Sequence, residues 1–172
     1  MAESLVITFV GVDRPGIVQD LTAMVHAQQG NWLESKMSRM AGKFAGIALI
    51  EISGERLDTL KEELQGIPDV SVIAETTDTQ DNDAGSLGYQ LNIVGLDRQG
   101  ILQEVTNELS RNSINVIDLE TRVSSAPMSG DKMFYADASV FVPSSVDLVD
   151  LHDRLDAVAD DLGVDILLEL SG

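Results

Sequence analysis

The chain has 172 residues, 44% of them hydrophobic, with no cysteine and a net charge of −18. That length allows one ordinary domain or two small ones, and the composition is that of a globular protein without disulfide or thiolate chemistry. The charge is shared, with 6 basic against 14 acidic residues in 1–86 and 5 against 15 in 87–172. Neither half offers the basic footprint of direct nucleic-acid binding. No apolar run approaches the ~20 residues of a membrane span, and the first residues do not read as a signal peptide, so a cytoplasmic protein without membrane association is expected. The acidic surface would steer a basic partner toward the protein, or simply keep it in solution.

Residues 5–10 alternate Leu5, Ile7 and Phe9 with Val6, Thr8 and Val10, a strand with one strongly apolar side. Ile17, Leu21 and Val25, with Val18 and Met24, make a helical stripe that ends near Gly30. Residues 31–40 alternate again, with Leu33 and Met37 expected on one side, and Ala41-Gly42-Lys43 supplies a turn. A third strand spans 44–52. A second helix is marked by Leu57, Leu60 and Leu64 and stopped by Gly66 and Pro68, and a short strand follows at 70–74. The order is β-α-β-β-α-β. A polar, acidic stretch at 77–88 reads as a linker between a first domain, 1–76, and a second, 89–172. Its Asp81-Asn82-Asp83 run lacks the glycine and the terminal glutamate of a calcium loop, so no metal is expected there.

The second half repeats this order. Strands are expected at 89–94 and 115–123, separated by a helix over 101–111 with Ile101, Val105 and Leu109 on one face. A longer hairpin loop spans 124–132, and the next strand resumes at 133–142. Phe44, Gly46, Ala48, Ile50 and Ile52 then match Phe134, Ala136, Ala138, Val140 and Val142, the small central residues suiting a covering helix. Leu148, Leu151, Leu155, Val158 and Leu162 stripe the last helix, whose wet face is Asp147, Asp150, Asp153, Asp156 and Asp160 rather than a metal site. A strand over 164–170 closes the unit. Each half is therefore expected to be an α+β, ferredoxin-like sandwich: a four-stranded antiparallel sheet with two helices on one face. The other face of the third strand carries Ala45, Ile47 and Leu49, which are unsuited to water and suggest sheet-to-sheet or edge packing.

The duplication is written most plainly at the first turn. Gly11, Asp13, Arg14, Gly16, Ile17, Gln19 and Thr22 recur 84 residues later as Gly95, Asp97, Arg98, Gly100, Ile101, Gln103 and Thr106, with Pro15 replaced by Gln99. Each phrase follows a strand and opens a helix, whose first N–H groups lack intrahelical partners and favour an anion. The glycines permit tight geometry and close approach of a ligand. Structurally the same phrase is a βα turn with an aspartate near the cap and a proline that helps the helix begin. Asn31 and Asn115 open the second strand in each half, as turn residues tolerant of unusual backbone angles or as ligand contacts. His26 and His152 do not correspond between the halves and read as helix-surface residues; no nucleophile triad, P-loop or metal spacing appears, so no catalytic residue and no cofactor is expected.

A β-α-β-β-α-β unit with Gly-x-Asp-Arg-Pro-Gly at its first turn and Asn at the start of its second strand resembles the ACT domain. ACT domains are regulatory modules that bind amino acids or other small effectors between paired units. Two of them filling so short a chain is similar to the glycine cleavage system transcriptional repressors. The resemblance implies effector contacts at Asp13, Arg14, Pro15, Gly16, Ile17 and Asn31, and at Asp97, Arg98, Gln99, Gly100, Ile101 and Asn115. Backbone N–H groups at the helix start suit an α-carboxylate, and the aspartate with the asparagine suits an α-ammonium. It further implies a small effector, glycine or serine-like, a homodimer, and a protein partner such as a transcriptional activator, with no direct contact to nucleic acid. An effector-independent interaction module built on the same domains is the alternative.

Overall fold

The computed structural model of the chain describes residues 1–78 and 85–172. It divides into two compact units, Met1–Gln80 and Asp81–Gly172. Residues 79–84, and with them the Asp81-Asn82-Asp83 run, lie outside the described residues.

The first unit runs β1 (Ala2–Val12), α1 (Ile17–Ala27), β2 (Asn31–Met40), β3 (Lys43–Ser53), α2 (Gly54–Gln65) and β4 (Val70–Thr77). The sheet order is β2-β3-β1-β4, with every neighbouring pair antiparallel. Alternation along β1 and β3 sends Leu5, Ile7, Phe9, Ala48, Ile50 and Ile52 to one side, where they form a single core with Ile17, Leu21 and Val25 of α1 and Leu57, Leu60 and Leu64 of α2. Both helices therefore lie on the same face of the sheet, and the opposite face is left without helices.

The second unit repeats the plan as β5 (Ser86–Leu96), α3 (Ile101–Arg111), β6 (Asn115–Ser125), β7 (Lys132–Pro143), α4 (Leu148–Leu162) and β8 (Val164–Leu170). Its sheet order is β6-β7-β5-β8, again antiparallel throughout. Both units are thus ferredoxin-like βαββαβ sandwiches. Strand β5 begins at Ser86, inside the stretch read as linker, because pairing continues through Ser86 opposite Pro143 and Leu87 opposite Val142.

Four details differ from the sequence expectation. Leu33 does not share a side with Met37: β2 carries a bulge between Trp32 and Glu34, so Trp32 takes the inward place and Leu33 is 49% exposed. The same bulge recurs in β6 between Val116 and Asp118. Gly46 is not small for the sake of a helix. A Cβ there would stand 2.8 Å from the Phe9 ring, from Met37 Cγ and from the Lys36 carbonyl oxygen. Asp147 is no ordinary member of a wet face; it caps α4, its carboxylate accepting from the Val149 and Asp150 amides at 2.9 and 3.3 Å. The inward stripe of that helix is Leu151, Leu155, Ala159 and Leu162, with Leu148 more than a third exposed.

Candidate functional site at the first helix start

Val12 ends β1, and the chain turns through Asp13 to Gly16 before α1 begins. Gly16 is the N-cap residue at φ 93°, and Gly100 holds the equivalent place at φ 95°. That backbone angle belongs to the left-handed region, which glycine enters without steric cost. Neither helix start receives a side-chain cap, unlike α4. The first intrahelical bonds run from the Asp20 amide to the Gly16 carbonyl at 2.8 Å and from Glu104 to Gly100 at 3.0 Å. The preceding amides, from Gly16 to Gln19 and from Gly100 to Gln103, have no place in the helical ladder and carry the positive end of the helix dipole.

In the first unit these amides border a cleft of about 280 Å³ lined by Asp13, Arg14, Gly16, Ile17, Val18, Gln19 and Phe44. Four of the six residues expected at this site are thus brought together. The aspartate is held from across the β2–β3 hairpin: Arg39 Nε donates to Asp13 Oδ2 at 2.8 Å, and the Asp13 amide donates to the Gly42 carbonyl at 2.9 Å. Arg14 folds onto its own helix, Nη2 on Asp20 Oδ2 at 2.8 Å. Arg39, Asp20 and Phe44 were not expected at this site from the sequence. Arg39 lies 26 positions along the chain from Asp13, and only the hairpin that returns β3 beside β1 closes that separation.

Pro15 sits in the turn itself, its carbonyl accepting from Arg14 Nη1 at 3.3 Å. Asn31 stands elsewhere. It pairs opposite Glu51, and Glu51 opposite Ser4, whereas the turn follows Val12 at the other end of β1. Eight residues of strand separate the two places, about 26 Å at ~3.3 Å per residue. Within one unit a single small molecule does not reach both. The topology explains this: α1 carries the chain back along the sheet before β2 starts, so the beginning of β2 neighbours the helix's C-terminal end.

The second unit keeps the frame and changes the side chains. Arg98 leaves its own helix and donates from Nη1 to the Leu162 carbonyl at 3.2 Å, closing the last turn of α4. The Asp97 amide bonds the Lys132 carbonyl at 2.8 Å, as Asp13 bonds Gly42. Val123 stands where the repeat would place an arginine equivalent to Arg39, and among the described residues no ion pair involves Asp97. Gln99 and Gly100 are exposed in the turn, and Ile101 is buried in the core. Asn115 is again at the far end, where it lines a separate cleft of about 330 Å³ with Thr106, Ser110 and Ser113.

The outer glycines of the phrase serve the sheet rather than a ligand. A Cβ on Gly11 would lie 2.7 Å from the Asp69 carbonyl oxygen, and one on Gly95 would lie 2.8 Å from Val164 Cβ. Each makes room for the start of the fourth strand of its unit. His26 and His152 are exposed on their helices. Among the described residues no helix is long and apolar enough to cross a membrane.

A βαββαβ sandwich present twice, each copy opening its first helix on a left-handed glycine with an aspartate in the turn before it, is the frame of one domain type used in duplicate. The ACT domain is matched twice along the sequence, over residues 3–69 and 84–164, and the chain belongs to the ACT-domain proteins, with two domains in tandem. Among solved structures, an unknown protein from Galdieria sulphuraria covers 100% of both chains at 27% identity with a TM-score of 0.90. A candidate glycine cleavage system transcriptional repressor matches over 99% of this chain and 98% of its own, at 24% identity and a TM-score of 0.70, which is a likeness of fold. A UPF0237 protein of Methanococcus maripaludis is 39% identical over 51 residues, which span 30% of this chain and 57% of that relative.

Proposed function

We propose that the protein is a non-catalytic, amino-acid-sensing regulator whose effector binds at the start of α1. The observation that carries this reading is the cleft in which Asp13 and the open amides of Gly16 to Gln19 face the same space. Those amides suit an α-carboxylate, and the Asp13 carboxylate suits an α-ammonium by a charge-assisted bond. A cleft of this size admits a small zwitterion of the glycine or serine class. Binding would compete with Arg39 for Asp13 and would thereby couple the effector to the β2–β3 hairpin, a coupling of typically about 1–3 kcal/mol. The regulated process is transcription of glycine cleavage genes, reached through a protein partner such as an activator, in the cytoplasm. The likeness to a candidate repressor and the strongly acidic surface, which disfavours direct contact with DNA, support this assignment.

One observation favours a second reading, an interaction module indifferent to metabolites. Both charged side chains of the cleft already have partners, Asp13 in Arg39 and Arg14 in Asp20. Thermal-shift measurements with a panel of amino acids separate the two. A sensor gains ~2.7 kcal/mol of stability at an effector concentration of 100 times Kd, and Asp13→Ala abolishes the gain. No shift with any amino acid would leave the interaction module.

A further inference from the structure

The cleft at the start of α1 has a polar side and an apolar side. Asp13 and the amides from Gly16 to Gln19 serve the two charged ends of an amino acid; Val18 and Phe44 line the same space and can serve neither. Val18 is not there for the core. The inward stripe of α1 is Ile17, Leu21 and Val25, whereas Val18 is 42% exposed in the first turn. A β-branched residue is also a weaker helix former than most, so the helix itself gains nothing from it. Phe44, half-buried at the start of β3, packs its ring on Phe9 and still borders the cleft.

The repeat sets these two side chains apart from the rest of the turn. In the second unit Gln99 replaces Pro15 and Val123 replaces Arg39, yet Leu102 stands at the place of Val18 and Phe134 at that of Phe44. The register gives the match, since Phe134 lies opposite Gly95 as Phe44 lies opposite Gly11. Leu102 and Phe134 are likewise only partly buried. The second unit has Ile93 where the first has Phe9, so an aromatic residue at this place does not depend on a second ring to stack against.

We propose that Val18 and Phe44 are specificity-determining residues, selecting an effector with a small apolar side chain over glycine and over serine. This rests on the cleft being the effector site, and it narrows the class of effector given for that site. With the carboxylate on the amides and the ammonium on Asp13, the wall left for the side chain is Val18 and Phe44. A methyl or ethyl group gains by leaving water there. A hydroxyl gives up water for hydrocarbon and finds no partner in it, and glycine leaves the wall wet. Gln19 also borders the cleft, and its exposed amide is the group that would read a hydroxyl instead.

Isothermal titration of the full chain with glycine, L-serine and L-2-aminobutyrate tests this, counting the binding that Asp13→Ala removes. The last of these has the shape of serine with a methyl group in place of the hydroxyl. It is expected to bind about tenfold or more tightly than serine or glycine. Val18→Thr keeps the shape of the side chain and makes one branch polar. It is expected to narrow the gap between 2-aminobutyrate and serine by about threefold or more. Glycine, which does not reach the wall, should bind this variant as it binds the wild type. Serine held as tightly as 2-aminobutyrate, a gap that Val18→Thr leaves unchanged, or a variant that loses glycine as well, overturns the proposal. If none of the three amino acids binds, the effector site itself is refuted and the selectivity falls with it.

Discussion

Phe9 and Phe44 meet with ring centres 5.9 Å apart, and the Phe9 ring lies where any side chain on Gly46 would stand. The second unit solves the same packing differently, with Ile93 at the Phe9 position and Ala136 at the Gly46 position. One methyl is added on β7 where ring volume is removed from β5, as close packing demands. Gly46→Ala alone is therefore expected to cost about 1–3 kcal/mol through overpacking. In a Phe9→Ile background the same change should cost less, with a coupling of at least ~0.5 kcal/mol, the approach to the Lys36 carbonyl oxygen and Met37 accounting for the cost that stays. Urea unfolding midpoints of the two single variants and the double would show it, and simple additivity would mean that Gly46 is small for another reason. The expected site residues divide at this scale too. Asp13 and Arg14 face the cleft, Arg98 has become a helix-closing donor, and Asn31 belongs to the far end of the sheet.

The helices begin in different ways. Helix α4 starts on a carboxylate cap, while α1 and α3 start on left-handed glycines whose following amides no side chain meets. Asp147→Ala is expected to lower stability by ~1 kcal/mol, read as a shift in the urea midpoint at constant m-value. An unchanged midpoint would show that the cap is dispensable. An uncapped helix start forgoes a modest stabilisation and leaves donors available to an anion; α1 and α3, at the repeated phrase, share that state with α2, which follows Ser53 without a side-chain cap. Among the strands, the bulges at the start of β2 and β6 twist both edge strands at the same place in each unit. They had no signature in the alternation of apolar residues, because an inserted residue merely exchanges the two sides.

At the scale of the molecule, 29 acidic residues against 11 basic ones impose self-repulsion on the compact state. Added monovalent salt screens it, shortening the Debye length from ~30 Å at 0.01 M to ~10 Å at 0.1 M. The thermal midpoint is accordingly expected to rise as sodium chloride is increased over that range, followed by scanning calorimetry. A flat response would place the carboxylates too far apart to matter. Each unit folds around its own core, one centred on Phe9, Ile50 and Leu60 and the other on Leu91, Val140 and Leu155.

Much of this architecture could be read from the chain alone. The 84-residue repeat, the alternation in 5–10 and 89–94, and the stripes at Ile17, Leu21, Val25 and at Ile101, Val105, Leu109 are local patterns, and local patterns set element type and order. What the tertiary structure decided was neighbourhood. It brought Arg39 to Asp13, set Asn31 about 26 Å away at ~3.3 Å per strand residue, gave the small Gly46 to an aromatic ring, and turned Ile47 toward an open face whose counterpart in the second unit is polar. The physical reason is that these contacts depend on strand pairing between segments distant in sequence, where the insertion of a single bulged residue changes which side chains meet.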